Sequence, residues 1–125
     1  MDGREMNRRI AAVFLRLTGE TEENAPLWQP LCETAAAVME ERLSGCTAEQ
    51  REPFFARIAL ATAALAAVYY RQAVEAAQPG SFTAGELRVE AQGQAEAAAA
   101  FYRSCMEALV PLIGDAGDGF RRVIS

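Results

Sequence analysis

Residues 54–77 read FFARIALATAALAAVYYRQAVEAA, a stretch without glycine or proline. An unbroken run of this length predicts the longest helix of the chain. Its larger apolar residues, Phe55, Ile58, Leu65, Val68 and Tyr69, spread around more than one face. A helix apolar nearly all round belongs in the middle of a bundle or in a subunit interface. Alanine at 59, 61, 63, 64, 66 and 67 would let neighbouring backbones come close. The uncharged centre, residues 58–70, is closed at thirteen residues by Arg57 and Arg71. A spanning helix needs about twenty, so the run is expected to be a core helix of a soluble bundle, with no membrane partner.

Upstream, Met6, Ile10, Val13, Phe14 and Leu17 recur at three- and four-residue steps and predict a helix over residues 5–17. Gly19 stops it, and Arg16 suits the negative end of its dipole. Asn24 can cap a turn containing Pro26, and Pro30 places the main second helix from Leu31, with Leu31, Ala35, Val38 and Met39 on one face. Thr47 with Gln50 forms a capping-box pattern, and Pro53 delays regular helix to the opening stretch. After Pro79-Gly80, Leu87 and Val89 alternate with Glu86, Arg88 and Glu90, which predicts an exposed strand or extended arm at about 82–90. A fourth helix is expected from about Gln94 to Leu112. The fold expected is therefore all-α: a four-helix bundle, three long and one short, with a short extended or β-like segment. One helical domain, residues 1–118, would precede a C-terminal docking tail, residues 119–125.

Composition removes many chemistries. The 125 residues include no His, and all twelve basic residues are Arg, against seventeen acidic ones, for a net charge of -5. Without His there is no Ser-His or Cys-His pair and no His-ligated zinc or haem. Without Lys there is no Schiff base and no phosphate loop of the Gly-Lys-Ser type. An acidic chain is poorly suited to nucleic acid, whose binding is dominated by phosphate neutralisation. Cys32, Cys46 and Cys105 form no CxxC pair and read as buried or idle thiols of a reducing cytoplasm. The apolar residues 10–15 are too few for a signal-peptide core.

Carboxylates are the remaining catalytic candidates. Glu49 and Glu52, three apart, lie on one helical face, as in the first half of a magnesium site in all-α nucleotide pyrophosphohydrolases. Glu33 with Glu40 or Glu41 has the wrong spacing for the second half. A solvated acidic helix start explains the pair better. Glu20, Glu22 and Glu23 lack the alternating ligands of a calcium loop, and Tyr69 and Tyr70 read as packing groups with a polar tip. No catalytic, cofactor or metal site is expected.

The order of the C-terminal pieces is informative. An Ala-rich helix ending in Pro-Gly leads to Gly85-Glu86-Leu87-Arg88-Val89, then to a second Ala-rich helix closing on Leu109-Val110-Pro111-Leu112-Ile113. A Gly/Asp link then carries Gly119-Phe120-Arg121-Arg122-Val123. Over residues 54–125 this layout resembles the small helical proteins of prophage head–tail modules in Gram-positive bacteria, the head–tail connector or adaptor subunits. The resemblance implies a non-enzymatic subunit that oligomerises with itself and fits other phage structural proteins. Phe82, Leu87, Val89, Phe120, Arg121, Arg122, Val123 and Ile124 would be the docking residues. It would be made in the host cytoplasm and built into the virion. A small cytoplasmic helical binding or regulatory module with no phage role is the alternative.

Overall fold

The computed structural model of the chain describes residues 3–77 and 84–114. These form α1 (Gly3–Thr18), α2 (Ala25–Arg42), α3 (Ala48–Arg51), α4 (Phe55–Ala77), α5 (Ala84–Glu107) and α6 (Val110–Ile113). Single 3-10 turns at Glu22–Asn24 and Glu52–Phe54 lead into α2 and α4. The protein is all-α, with no strand among the described residues.

The middle position expected of residues 54–77 is the position α4 occupies: α1, α2 and α5 each pack mainly on it. Its alanines explain how. Ala59, Ala61, Ala63, Ala64, Ala66 and Ala67 are all buried, which lets backbones on several sides approach the helix axis. Thr62, buried among them, donates its hydroxyl to the Ile58 carbonyl at 2.7 Å and so brings no unpaired proton into the core. Helical residues Ala48–Val74 are long and apolar enough, by composition alone, to cross a membrane, and half of that apolar window is buried by the other helices.

Helix α1 buries Ile10 and Phe14 and ends at Gly19, whose φ of +77° is the left-handed conformation glycine adopts freely. Helix α2 corrects the expectation that Pro30 would hold the main helix back to Leu31. It starts at Ala25 and continues through Pro30. Trp28 supplies the reason: it is buried against Phe14, and its Nε1–H donates to the Thr21 carbonyl at 2.9 Å, which ties the first turn to the core. That anchorage outweighs the hydrogen bond Pro30 cannot make. Trp28, Cys32, Ala35 and Met39 then follow one another down the buried face.

A second correction concerns the extended segment. Residues 84–90 form the first turns of α5, not a strand. Leu87 and Val89 alternate over three residues only, while Glu86, Leu87, Arg88, Glu90, Ala91 and Gln92 are residues a helix accommodates well. Helix α5 begins at Ala84 and not near Gln94, and turns into α6 after Glu107, around the fully buried Leu109.

Candidate functional site

The most organised polar group in the bundle is built around Arg51. Thr47 accepts from the Gln50 backbone N–H at 3.1 Å while Gln50 accepts from the Thr47 N–H at 2.8 Å, the capping box expected from sequence. This fixes α3 as one tight turn folded back on the C-terminal end of α2. Arg51 Nη1 donates to both oxygens of Glu40, at 2.9 and 3.0 Å, and Nη2 donates to the Leu43 carbonyl at 2.6 Å. The guanidinium thus occupies the negative end of α2, as a second donor to the Leu43 carbonyl, which also accepts from the Cys46 N–H at 2.8 Å. Its Nε is buried and has no hydrogen-bond partner.

Arg51 also lines a cavity of about 260 Å³ between α1, α2 and α4, whose walls include Met6, Ile10, Met39, Leu43 and Ile58. Asn7 and Glu40 add polar groups, and Thr62 a buried hydroxyl. Nothing in the spacing of Glu40 and Arg51 marks them as partners. They lie eleven residues apart on different helices, and only the reversal at residues 43–47 brings them together.

A second cluster joins α1, α2 and α4. Phe14 stacks on Trp28 at 5.1 Å and meets Tyr70 edge-on at 5.6 Å. The Tyr70 hydroxyl donates to Glu20 at 2.7 Å, and the same carboxylate accepts from Asn24 Nδ2 at 2.9 Å. These bonds, Asn24 first and then Tyr70 and the Thr21 N–H, hold the Glu20 carboxyl below its usual range. Burial, reinforced by Glu20, pushes the Tyr70 phenol up. Tyr70 is thus the packing group with a polar tip that was expected. Glu20 is a structural acceptor, whereas Glu22 and Glu23 are exposed.

The surface of α1 is basic. It carries Arg4, Arg8, Arg9 and Arg16 against a single acid, Glu5. Arg8, Arg9 and Arg16 are exposed around a shallow depression over Ala12, with the Arg9 guanidinium 5.6 Å from the Phe55 ring centre. Glu5 shares that depression, and more exposed glutamates lie on other elements: Glu22 and Glu23 before α2, Glu33, Glu40 and Glu41 on it, and Glu49 on α3.

Of the docking residues suggested by resemblance, Leu87 and Val89 lie in the opening turns of α5. Phe82, Phe120, Arg121, Arg122, Val123 and Ile124 fall outside the described residues. Glu49 and Glu52 sit at α3 and the turn after it, while Glu40 is engaged by Arg51. Among the described residues, no three acidic or thiol side chains gather as metal ligands would. The three cysteines are free, Cys32 and Cys105 in the core and Cys46 half-buried. Comparison with protein-family models, curated proteins and solved structures finds no match.

Proposed function

We propose that the chain is a non-enzymatic assembly subunit of a (pro)phage head–tail module, oligomerising with itself and fitting other structural proteins. One observation carries the self-association: charge is unevenly spread, with exposed Arg8, Arg9 and Arg16 outnumbering exposed Glu5 on α1, and exposed Glu33, Glu41 and Glu49 outnumbering exposed Arg42 on α2 and α3. Two unlike patches on one molecule favour a head-to-tail contact, in which the α1 face of one copy meets the acidic face of the next. Such heterologous contacts close into rings when the rotation allows, as a connector requires. The phage assignment itself is supported by the layout of residues 54–125. Salt should weaken the contact, because exposed charges are screened over about 8–10 Å near physiological ionic strength.

Sedimentation of the full chain tests this. The expected result is a mass above the monomer at low salt, lowered by high salt and by the combined change Arg8→Glu, Arg9→Glu and Arg16→Glu, with helicity unchanged. A strict monomer at high concentration and low salt overturns the assembly reading. Portal, capsid or tail genes beside the coding sequence would support the phage assignment, and their absence would count against it. The cavity at Arg51 favours a second reading, a small cytoplasmic helical binding module without a phage role.

A further inference from the structure

We propose that residues 115–125 fold back on the bundle of their own chain and seat Phe120 in the cavity between α1, α2 and α4. The inference holds for a single copy and does not depend on the assembly reading.

The place where the described chain ends comes first. Leu112 and Ile113 of α6 pack against a group of buried residues that includes Met39, Leu43 and Ile58, and these three also line the cavity. Cys46 ties α6 to the cavity wall. Its Sγ lies 3.7 Å from the Leu112 carbonyl, and its N–H donates to the Leu43 carbonyl at 2.8 Å. A single residue therefore bridges the end of α6 and the wall. Gly114 closes α6 with a φ of +75°, the left-handed conformation glycine enters freely, and turns the chain off the helix. Residues 115–119, Asp-Ala-Gly-Asp-Gly, span up to about 17 Å when extended. That reach covers the approach from Gly114 to a cavity whose wall lies so near.

The cavity suits one aromatic side chain. Ile10, Met39, Leu43 and Ile58 give it a buried apolar floor, and Met6 is an unbranched side chain that adapts to irregular shapes. Its mouth is built from exposed Gly3, Asn7 and Glu40, and a Cβ placed on Gly3 would meet nothing within 4 Å. A volume of about 260 Å³ admits a phenyl ring, and Phe120 is the only aromatic residue after Tyr102. Seating that ring removes apolar surface from water on both sides of the contact.

Charge favours the same place. Residues 119–125 carry Arg121 and Arg122 and no acid. At the end of α2, on α3 and in the turn after it, Glu40, Glu41, Glu49 and Glu52 outnumber Arg42 and Arg51. Glu40 holds Arg51 yet keeps 66% of its side chain exposed, so its carboxylate has acceptor sites left for Arg121, the residue next to Phe120. A short flexible tether also gives a millimolar effective concentration, so a modest contact is enough to populate the docked form. Docked in this way, Phe120 and both arginines are withheld from other proteins until the segment is displaced.

The experiment uses the full chain, labelled at Met and Ile methyl groups and observed by NMR. Phe120→Ala should shift the Met6, Met39, Ile10 and Ile58 methyls, which lose the ring current of Phe120, while the helical spectrum is kept. Arg121→Glu with Arg122→Glu should move the same methyls part of the way. In the unaltered chain, the Phe120 ring protons should show nuclear Overhauser contacts to those methyls. A mixture of methyl-labelled chains with chains labelled only at Phe should show no such contact between the two, because segment and cavity belong to one copy. Cavity methyls unmoved by Phe120→Ala, or indifferent to the reversed arginines, overturn the proposal. Contacts in the mixture overturn it too, since the segment would then be exchanged between copies. All three substitutions lie outside the helical core, so folding does not limit the test. Because docking is read at the cavity methyls, its failure is separable from the oligomer mass that tests assembly.

Discussion

At the scale of single residues, the groups with displaced titration make the clearest measurements. The Cys32 thiol is pushed up to about 11, by burial first and then by the neighbouring Glu33. Burial raises Cys105 as well. A thiol whose folded value is raised contributes stability that is complete below its unfolded value of about 8.5. That contribution is lost as pH climbs from there through about 11 for Cys32. Cys32→Ala should therefore flatten the alkaline limb of the stability profile measured by urea unfolding, and an unaltered limb would remove this explanation. The three thiols should also differ in rate. Cys46 is half-buried, with its Sγ 3.7 Å from the Leu112 carbonyl, whereas Cys32 and Cys105 are 8% and 5% exposed. A disulfide reagent at mild pH should modify one thiol per native chain promptly, at Cys46, and the other two only on unfolding. At the acid end, the lowered carboxyl of Glu20 runs the opposite way. Its contribution is present above the ordinary glutamate value of about 4.3 and is lost as pH falls through the lower folded value. Glu20→Gln should flatten the acid limb of the same profile.

At the scale of elements, alanine sets how closely the helices pack on α4. Ala63 and Ala66 are completely buried on α4, while Ala56 on the same helix is exposed. Leucine at 63 or 66 has to force apart helices that pack close because the side chain there is a methyl, at a cost of about 1–3 kcal/mol. Leucine at 56 meets solvent and should change stability by less than about 0.5 kcal/mol. Urea unfolding of the three variants compares these directly; equal stabilities would mean that α4 does not pack through its alanines. This part of the fold was legible in sequence because it rests on composition at known spacing: a breaker-free run, an uncharged centre over residues 58–70, and alanine at 59, 61, 63, 64, 66 and 67. The capping box at Thr47 and Gln50 and the stop at Gly19 were legible for the same reason, being local chemistry. The start of α2 was not, because Trp28 acts through a hydrogen bond to Thr21 and a stack on Phe14, both tertiary. The start of α5 is not legible because Leu87 and Val89 alternate as strand residues do, while the residues around them are helix formers. The Arg51 cavity has no local signature in the sequence. Its walls come from four helices, and its ion pair exists only because the chain reverses between α2 and α3.

At the scale of the molecule, the core falls into two groups of buried residues that share α4. One contains Phe14, Trp28, Cys32, Ala63 and Ala66; the other contains Met39, Leu43, Ile58, Cys105 and Leu109. Along α4 the two alternate, with Ala59, Ala63 and Ala66 in the first and Ile58, Ala61 and Ala64 in the second. A rigid helix carrying both sets cannot release one face without exposing methyls of the other. Met6, Leu17 and Tyr102 pack against both groups and bridge them further. The physical expectation is one cooperative transition, as for most domains of this size. Each group carries its own reporter. Trp28 is the only tryptophan of the chain and sits in the first group, stacked on Phe14. Cys105 sits in the second and becomes its reporter once Cys32 and Cys46 are both replaced by alanine. Tryptophan fluorescence and pulsed labelling of Cys105, followed through the same urea titration of that variant, should give one midpoint and one slope. Separate midpoints would mean that one group of buried residues leaves the bundle before the other. In that case α4 would be a seam between two independently melting halves, not the shared spine its buried alanines make it.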